Sequence, residues 1–148
     1  MNNIFTNAMA RNTIYGSVLV ILLFFVLTFG TVRTLPERVH HENITPQVVL
    51  GKAVWEQNHC VGCHTLLGEG SYYAPELGNV YQRIKHQTNE THAGPFIKAW
   101  IEIMPTDAPM RRQMPNFNLS KTELNALLAF LKWFSEINAA NWPPNIEG

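Results

Sequence analysis

The sequence has only two cysteines, no surplus of either charge, and not one charged side chain in residues 12–32. Each shortage excludes something. Eleven Lys and Arg cancel eleven Asp and Glu, so the basic surface of a nucleic-acid binder is missing. Charged residues make up 15% of the chain, low for a freely soluble protein. Two cysteines cannot staple a small secreted scaffold. Cys60 and Cys63 stand so close that a disulfide between them would barely constrain the unfolded chain. There is no internal repeat and no low-complexity tract, which excludes a solenoid. At 148 residues the chain has room for one compact domain and an appendage.

The appendage lies in the uncharged stretch, which includes Val18-Leu19-Val20-Ile21-Leu22-Leu23-Phe24-Phe25-Val26-Leu27. Residues 12–32 wound as a helix would be roughly 31 Å long, matching a bilayer core of about 30 Å. Gly16 and Gly30 are no objection, since membrane helices tolerate glycine. A cleaved signal peptide is the competing reading. Its best cleavage site, Thr28-Phe29-Gly30, is a poor small-x-small pattern, and its apolar core is longer than a signal needs. The expectation is a retained single-pass anchor. Arg11 on one side and Arg33 and Arg38 on the other leave the positive-inside rule nearly silent about orientation.

Cys60-Val61-Gly62-Cys63-His64 is a C-x-x-C-H sequence, the attachment signature of c-type haem. Two thiols three residues apart on one turn can each add to a porphyrin vinyl group. The adjacent imidazole of His64 is then carried under the iron as an axial ligand. A thioredoxin-like redox pair would want a βαβ context, and no strand pattern surrounds the motif. A zinc site would need a second pair of ligands, and there is no second cysteine pair. Because c-type haem is attached outside the cytoplasm, the motif orients the anchor. The N-terminus is expected in the cytoplasm of a bacterium and everything after Arg33 in the periplasm. The expected division is a cytoplasmic segment at 1–12, a transmembrane helix at 13–32, a linker at 33–44 and a haem domain at 45–148.

An electron-transfer haem usually has a sixth ligand, most often a methionine sulfur. Met1 and Met9 precede the anchor, leaving Met104, Met110 and Met114. Met104 follows an apolar run and reads as core. Met110 lies in Asp107-Ala108-Pro109-Met110, a loop. Met114 precedes Pro115, which stops a helix, and lies 50 residues after His64, where small cytochromes c carry this ligand. Met114 is the expected ligand and Met110 the runner-up. His40, His41, His59, His86 and His92 are weaker options that read as surface residues.

The rest of the domain reads as helices. Thr45-Pro46 is an N-cap followed by proline at the first helical position. Ser120 and Glu123 make a capping box, with Leu119 and Leu124 as its hydrophobic staple. Leu124, Leu127, Leu128, Leu131, Phe134 and Ile137 then recur at helical spacing, a stripe that core packing explains. A middle helix is expected over Pro95 to Ile103, presenting Phe96, Ala99, Trp100 and Ile103 on one side. The expected fold is all-α: one N-terminal transmembrane helix, then a small monohaem cytochrome c domain whose first and last helices cross beside the haem.

Four stretches extend the likeness: Met9-Ala10-Arg11-Asn12; Cys63-His64-Thr65-Leu66-Leu67-Gly68-Glu69-Gly70-Ser71-Tyr72-Tyr73-Ala74-Pro75-Glu76-Leu77-Gly78-Asn79; Arg111-Arg112-Gln113-Met114-Pro115; and Asn141-Trp142-Pro143-Pro144-Asn145. With them the chain resembles the cytochrome c subunit of bacterial cytochrome-c-dependent nitric oxide reductases. The resemblance implies a large multi-helix partner with b-type haem and a haem–nonhaem iron centre, where two NO are reduced to nitrous oxide and water. This chain would then receive electrons from a soluble cytochrome c or cupredoxin. Met114 is the axial methionine by the same resemblance. It also implies that Gly70 and Tyr72 help to hold a calcium ion at the subunit interface, a role that carbonyl and hydroxyl oxygens suit.

Arg111 and Arg112, beside Met114, have two readings that stay open: pairing with a haem propionate, or a solvated patch that meets the donor. The tail from Asn141 cannot continue a helix and reads as a frayed end or as a docking strap. Rival functions are a monohaem subunit of a haem-copper oxidase, a free membrane-tethered shuttle and, in a different class, a haem gas sensor with an open sixth position. No nucleophile–base pairing is visible and a six-coordinate iron has no room for substrate, so no catalytic residue is expected in this chain.

Overall fold

A computed structural model describes residues 6–104 and 113–140, and the chain falls into two units, Met1–Glu37 and Arg38–Gly148. The first unit is almost entirely one helix, α1 (Asn7–Arg38), which buries none of its residues and is long and apolar enough to cross a membrane. It runs past residues 13–32 at both ends. The Thr6 hydroxyl accepts the Met9 N–H (3.3 Å) at its start, and the helix formers Ala8, Met9 and Ala10 extend the first turns. Pro36 falls near the other end, where the missing N–H costs one helical bond without ending the helix.

The second unit holds α2 (Pro46–Gln57), a 3-10 turn at Cys60–Gly62, a hairpin of β1 (Thr65–Leu66) and β2 (Glu69–Gly70), then α3 (Val80–Gln87), α4 (Glu90–Glu102) and α5 (Lys121–Phe134). The class is all-α, since this hairpin of two-residue strands is the only sheet among the described residues. Thr45 caps α2 by accepting the Val48 N–H, and Ser120 and Glu123 form both bonds of a capping box on α5.

The core is built where α2 meets α5. Val48, Val54 and Trp55 from α2 pack with Leu124, Leu127, Phe130 and Leu131 from α5. Each large side chain buried here contributes about 1.5–3 kcal/mol. The helices touch at Gly51, where an added Cβ would lie 2.0 Å from the Ala126 carbonyl oxygen. Only glycine permits that approach.

α4 begins earlier than the sequence indicated. Asn89 is its N-cap, accepting the His92 N–H at 3.0 Å, and Pro95 lies inside the second turn. The face that α4 buries carries Ala93, Gly94, Ile97 and Ile101, whereas Phe96, Trp100 and Ile103 are exposed. Both stripes are apolar, so periodicity alone could not tell the inner one from the outer. α3 and the hairpin were not expected at all. The segment ahead of α2 is fastened to the end of α5: the Asn138 N–H donates to the Arg38 carbonyl (2.9 Å) and the Trp133 indole to that of Val39 (3.0 Å).

Candidate haem-attachment site

After α2 the chain reverses at His59, which takes a left-handed conformation (φ 52), and winds Cys60 to Cys63 into a single turn. The Gly62 N–H donates to the His59 carbonyl, and the N–H groups of Cys63 and His64 both donate to that of Cys60. That turn brings the two thiols and the imidazole together. Cys60 is buried and Cys63 half-buried, and neither is in a disulfide. Burial pushes the Cys60 thiol up to about 11, helped by neighbouring Cys63 and opposed by a backbone hydrogen bond.

His64 is oriented by the segment that follows. Its Nδ1 lies 2.8 Å from the Pro75 carbonyl oxygen. A carbonyl can only accept, so Nδ1 carries the proton and Nε2 keeps its lone pair for a metal. The Trp55 ring, in the core between the helices, stands 6.3 Å from the His64 ring.

Residues 65–78 wrap the motif. β1 and β2 pair antiparallel, Thr65 with Gly70 and Leu66 with Glu69. The turn between them places Leu67 (φ 51) and Gly68 (φ 85) in the left-handed region, natural for glycine and strained for leucine. The Glu76 carboxylate offsets that strain by accepting the N–H groups of Leu67 (2.9 Å), Gly68 (3.2 Å) and Gly78 (2.7 Å). Glu76 is 5% exposed. Burial alone would push its carboxyl up, but these bonds and the Thr65 hydroxyl beside it hold it below the ordinary value. Further backbone bonds tie Ser71 to Val61, Ala74 to Cys63 and Leu77 to Thr65.

The other residues singled out from sequence fare differently. Gly70 (φ 124) lies against the motif, where a Cβ would meet the His64 carbonyl oxygen at 2.3 Å. Tyr72 is exposed, its hydroxyl 3.5 Å from the Gly68 carbonyl. Met114 is half-buried and packs on the same hydrophobic cluster as Cys60 and Trp55. Arg111, Arg112, Met110 and the segment Asn141–Asn145 lie outside the described residues. Sequence reasoning missed Pro75, Glu76 and Arg83. Arg83 donates through Nη2 to the Glu76 carbonyl (3.3 Å), while its Nη1 is buried with no partner. An unmet cationic donor is what a propionate carboxylate would satisfy. Together with the thiol pair and the free Nε2, it means the residues present fit a c-type haem.

Comparison with known proteins agrees. The cytochrome c family profile matches residues 48–135. Over 100% of both chains, this chain is 50% identical to the nitric oxide reductase C subunit of Stutzerimonas stutzeri and 48% identical to that of Paracoccus denitrificans. The protein of the same name from Cereibacter sphaeroides is 40% identical, again over 100% of each chain. The chain belongs to the cytochrome c family and, within it, to the C subunits of nitric oxide reductases.

Proposed function

We propose that this chain is the electron-input subunit of a membrane nitric oxide reductase. It would take electrons from a soluble cytochrome c or cupredoxin and deliver them to a catalytic partner subunit, where 2 NO, two electrons and two protons give N2O and water. The observation that carries the reading is the set Cys60, Cys63 and His64 on one turn, with the imidazole Nδ1 engaged by Pro75 and Nε2 left free.

In this reading Cys60 and Cys63 would hold the porphyrin covalently, His64 and Met114 would coordinate its iron, and Arg83 would offer its unmet N–H to a propionate. When bound, the haem supplies a one-electron couple. The chain's own part would be to orient the imidazole through Pro75, to shield the site with the α2–α5 core, and to offer His64 and Met114 to the iron in place of substrate. Gly70 and Tyr72 supply at most three oxygens, two carbonyls and a hydroxyl, too few for calcium alone. A calcium ion there would be shared with the partner. The anchor α1 would be single-pass, with its N-terminus cytoplasmic and the haem domain periplasmic.

The test is to isolate the full chain from its native membrane in mild detergent and count haems and metals. A co-purifying subunit with b-type haem and nonhaem iron but no copper supports the proposal. Copper in the partner would make this an oxidase subunit, and no partner would make it a free shuttle. Ready binding of CO or NO by the reduced chain would point to the gas sensor instead.

A further inference from the structure

The Glu76 carboxylate has more partners than a loop staple needs, and the peptide beside it touches the haem ligand. Pro75, whose carbonyl engages His64 Nδ1, is the residue before Glu76. That short segment is fixed from several sides. The Glu76 side chain is held by Leu67, Gly68 and Gly78, its backbone carbonyl by Arg83, and the flanking N–H groups of Ala74 and Leu77 by the carbonyls of Cys63 and Thr65. The Pro75 carbonyl therefore has little freedom to leave the imidazole.

We propose that Glu76 is a positioning residue for the axial imidazole: by anchoring the Pro75 carbonyl against His64 Nδ1–H, it sets the reduction potential of the iron. The proposal rests on His64 being an axial ligand. Its physical basis is that a stronger bond from the distal ring N–H makes the coordinating nitrogen more basic. A more basic ligand favours the oxidised iron and lowers the potential. A buried carboxylate acts in the same direction through its charge. Loosening the anchor and removing the charge should therefore both raise the potential.

Two variants separate these contributions. Glu76→Gln removes the charge and leaves a poorer acceptor for three N–H groups. Gly78→Ala keeps the charge but displaces the carboxylate, because an added Cβ would lie 2.6 Å from Glu76 Oε1. Gly78 is not among the residues with positive φ, so alanine there brings no backbone strain of that kind. The measurement is a redox titration of the full chain in its detergent-solubilised complex, with covalent haem counted first in the wild type. E76Q is expected to carry haem at wild-type stoichiometry and to shift the ratio of reduced to oxidised iron at fixed potential about tenfold toward reduced, about 59 mV for one electron. G78A is expected to shift it in the same direction by less. Normal haem content with an unchanged potential in both variants overturns the proposal. If E76Q alone loses its haem, the potential of G78A decides. Loss of haem from both would mark Glu76 as a folding residue and also overturn it. A wild-type chain without covalent haem would sink the haem reading itself, an outcome separate from these.

Discussion

The local geometry leaves His64 with one ring nitrogen engaged by the Pro75 carbonyl and the other free, as the proposed ligand role requires, but it does not select the opposite ligand so sharply. Met114 is favoured by its half-buried place on the cluster that contains Cys60 and Trp55 and by Pro115, which ends any helix there. A thioether ligand raises a haem potential. Met114→Ala is therefore expected to lower the midpoint potential, abolish the far-red sulfur-to-iron band of the oxidised protein, and make the reduced protein bind CO. An unchanged spectrum would return the ligand role to another residue. At this scale the sequence is uneven as a guide. The C-x-x-C-H motif is readable because thiol–vinyl and imidazole–iron chemistry impose a fixed spacing. Glu76 and Arg83 have no such signature. Glu76 binds backbone N–H groups eight and nine residues earlier, and Arg83 reaches back to a carbonyl, so any sequence with that turn would offer the same partners.

Between elements, the tightest constraint is the approach of α2 to α5. Gly51→Ala would drive a methyl into the Ala126 carbonyl and against Phe130 Cβ, which would stand 2.0 Å and 2.7 Å away. The helices must then separate, and overpacking of this kind costs about 1–3 kcal/mol, occasionally more. The expected result is a lower thermal midpoint with haem still attached; an unchanged midpoint would mean that the crossing is looser than described. A second link joins three helices. Glu90, at the start of α4, pairs with Lys85 of α3 and Lys132 of α5 and accepts from the Tyr81 hydroxyl (3.1 Å). Lys85 foremost, with Lys132 and Tyr81, holds the Glu90 carboxyl down at about 2 against an ordinary 4.5. A depressed carboxyl stabilises the fold above its ordinary value, and that stabilisation fades as pH falls toward the folded value. Glu90→Gln should thus be less stable than wild type at pH 6, by a modest margin since the pairs are exposed, and the two denaturation midpoints should converge toward pH 2. Of the elements themselves, α2 and α5 were legible because Thr45, Pro46, Ser120 and Glu123 cap them by local rules. α4 was misjudged because Pro95 reads as a helix start, while Asn89 had already begun the helix six residues before. α3 escaped because Val80–Gln87 offers barely two turns of pattern and its N-cap, Asn79, makes no side-chain cap bond.

For the molecule as a whole, the question is which side of the membrane the second unit occupies. The helix α1 says only that a crossing is possible: it buries nothing, and its apolar stretch is bounded within the helix by Arg11 at one end and by Arg33 and Arg38 at the other. Charge cannot choose between two nearly balanced ends. The proposed chemistry can, because a Cys60 and Cys63 pair that carries haem would have to meet it where c-type attachment operates, outside the cytoplasm. A covalently loaded domain and a cytoplasmic C-terminus are therefore incompatible. Fusing alkaline phosphatase to the C-terminus should give an active enzyme in a bacterial host, since that enzyme folds only in an oxidising compartment. A fluorescent protein that matures only in the cytoplasm should stay dark at the same position. Leu22→Arg, with a charge placed mid-helix at a cost of about 2.5–3.5 kcal/mol, should reduce the membrane-retained fraction of both fusions. The reverse pattern, a bright fluorescent fusion and a silent phosphatase, would put the thiol pair where no haem could be attached and would leave the electron-input role without its cofactor.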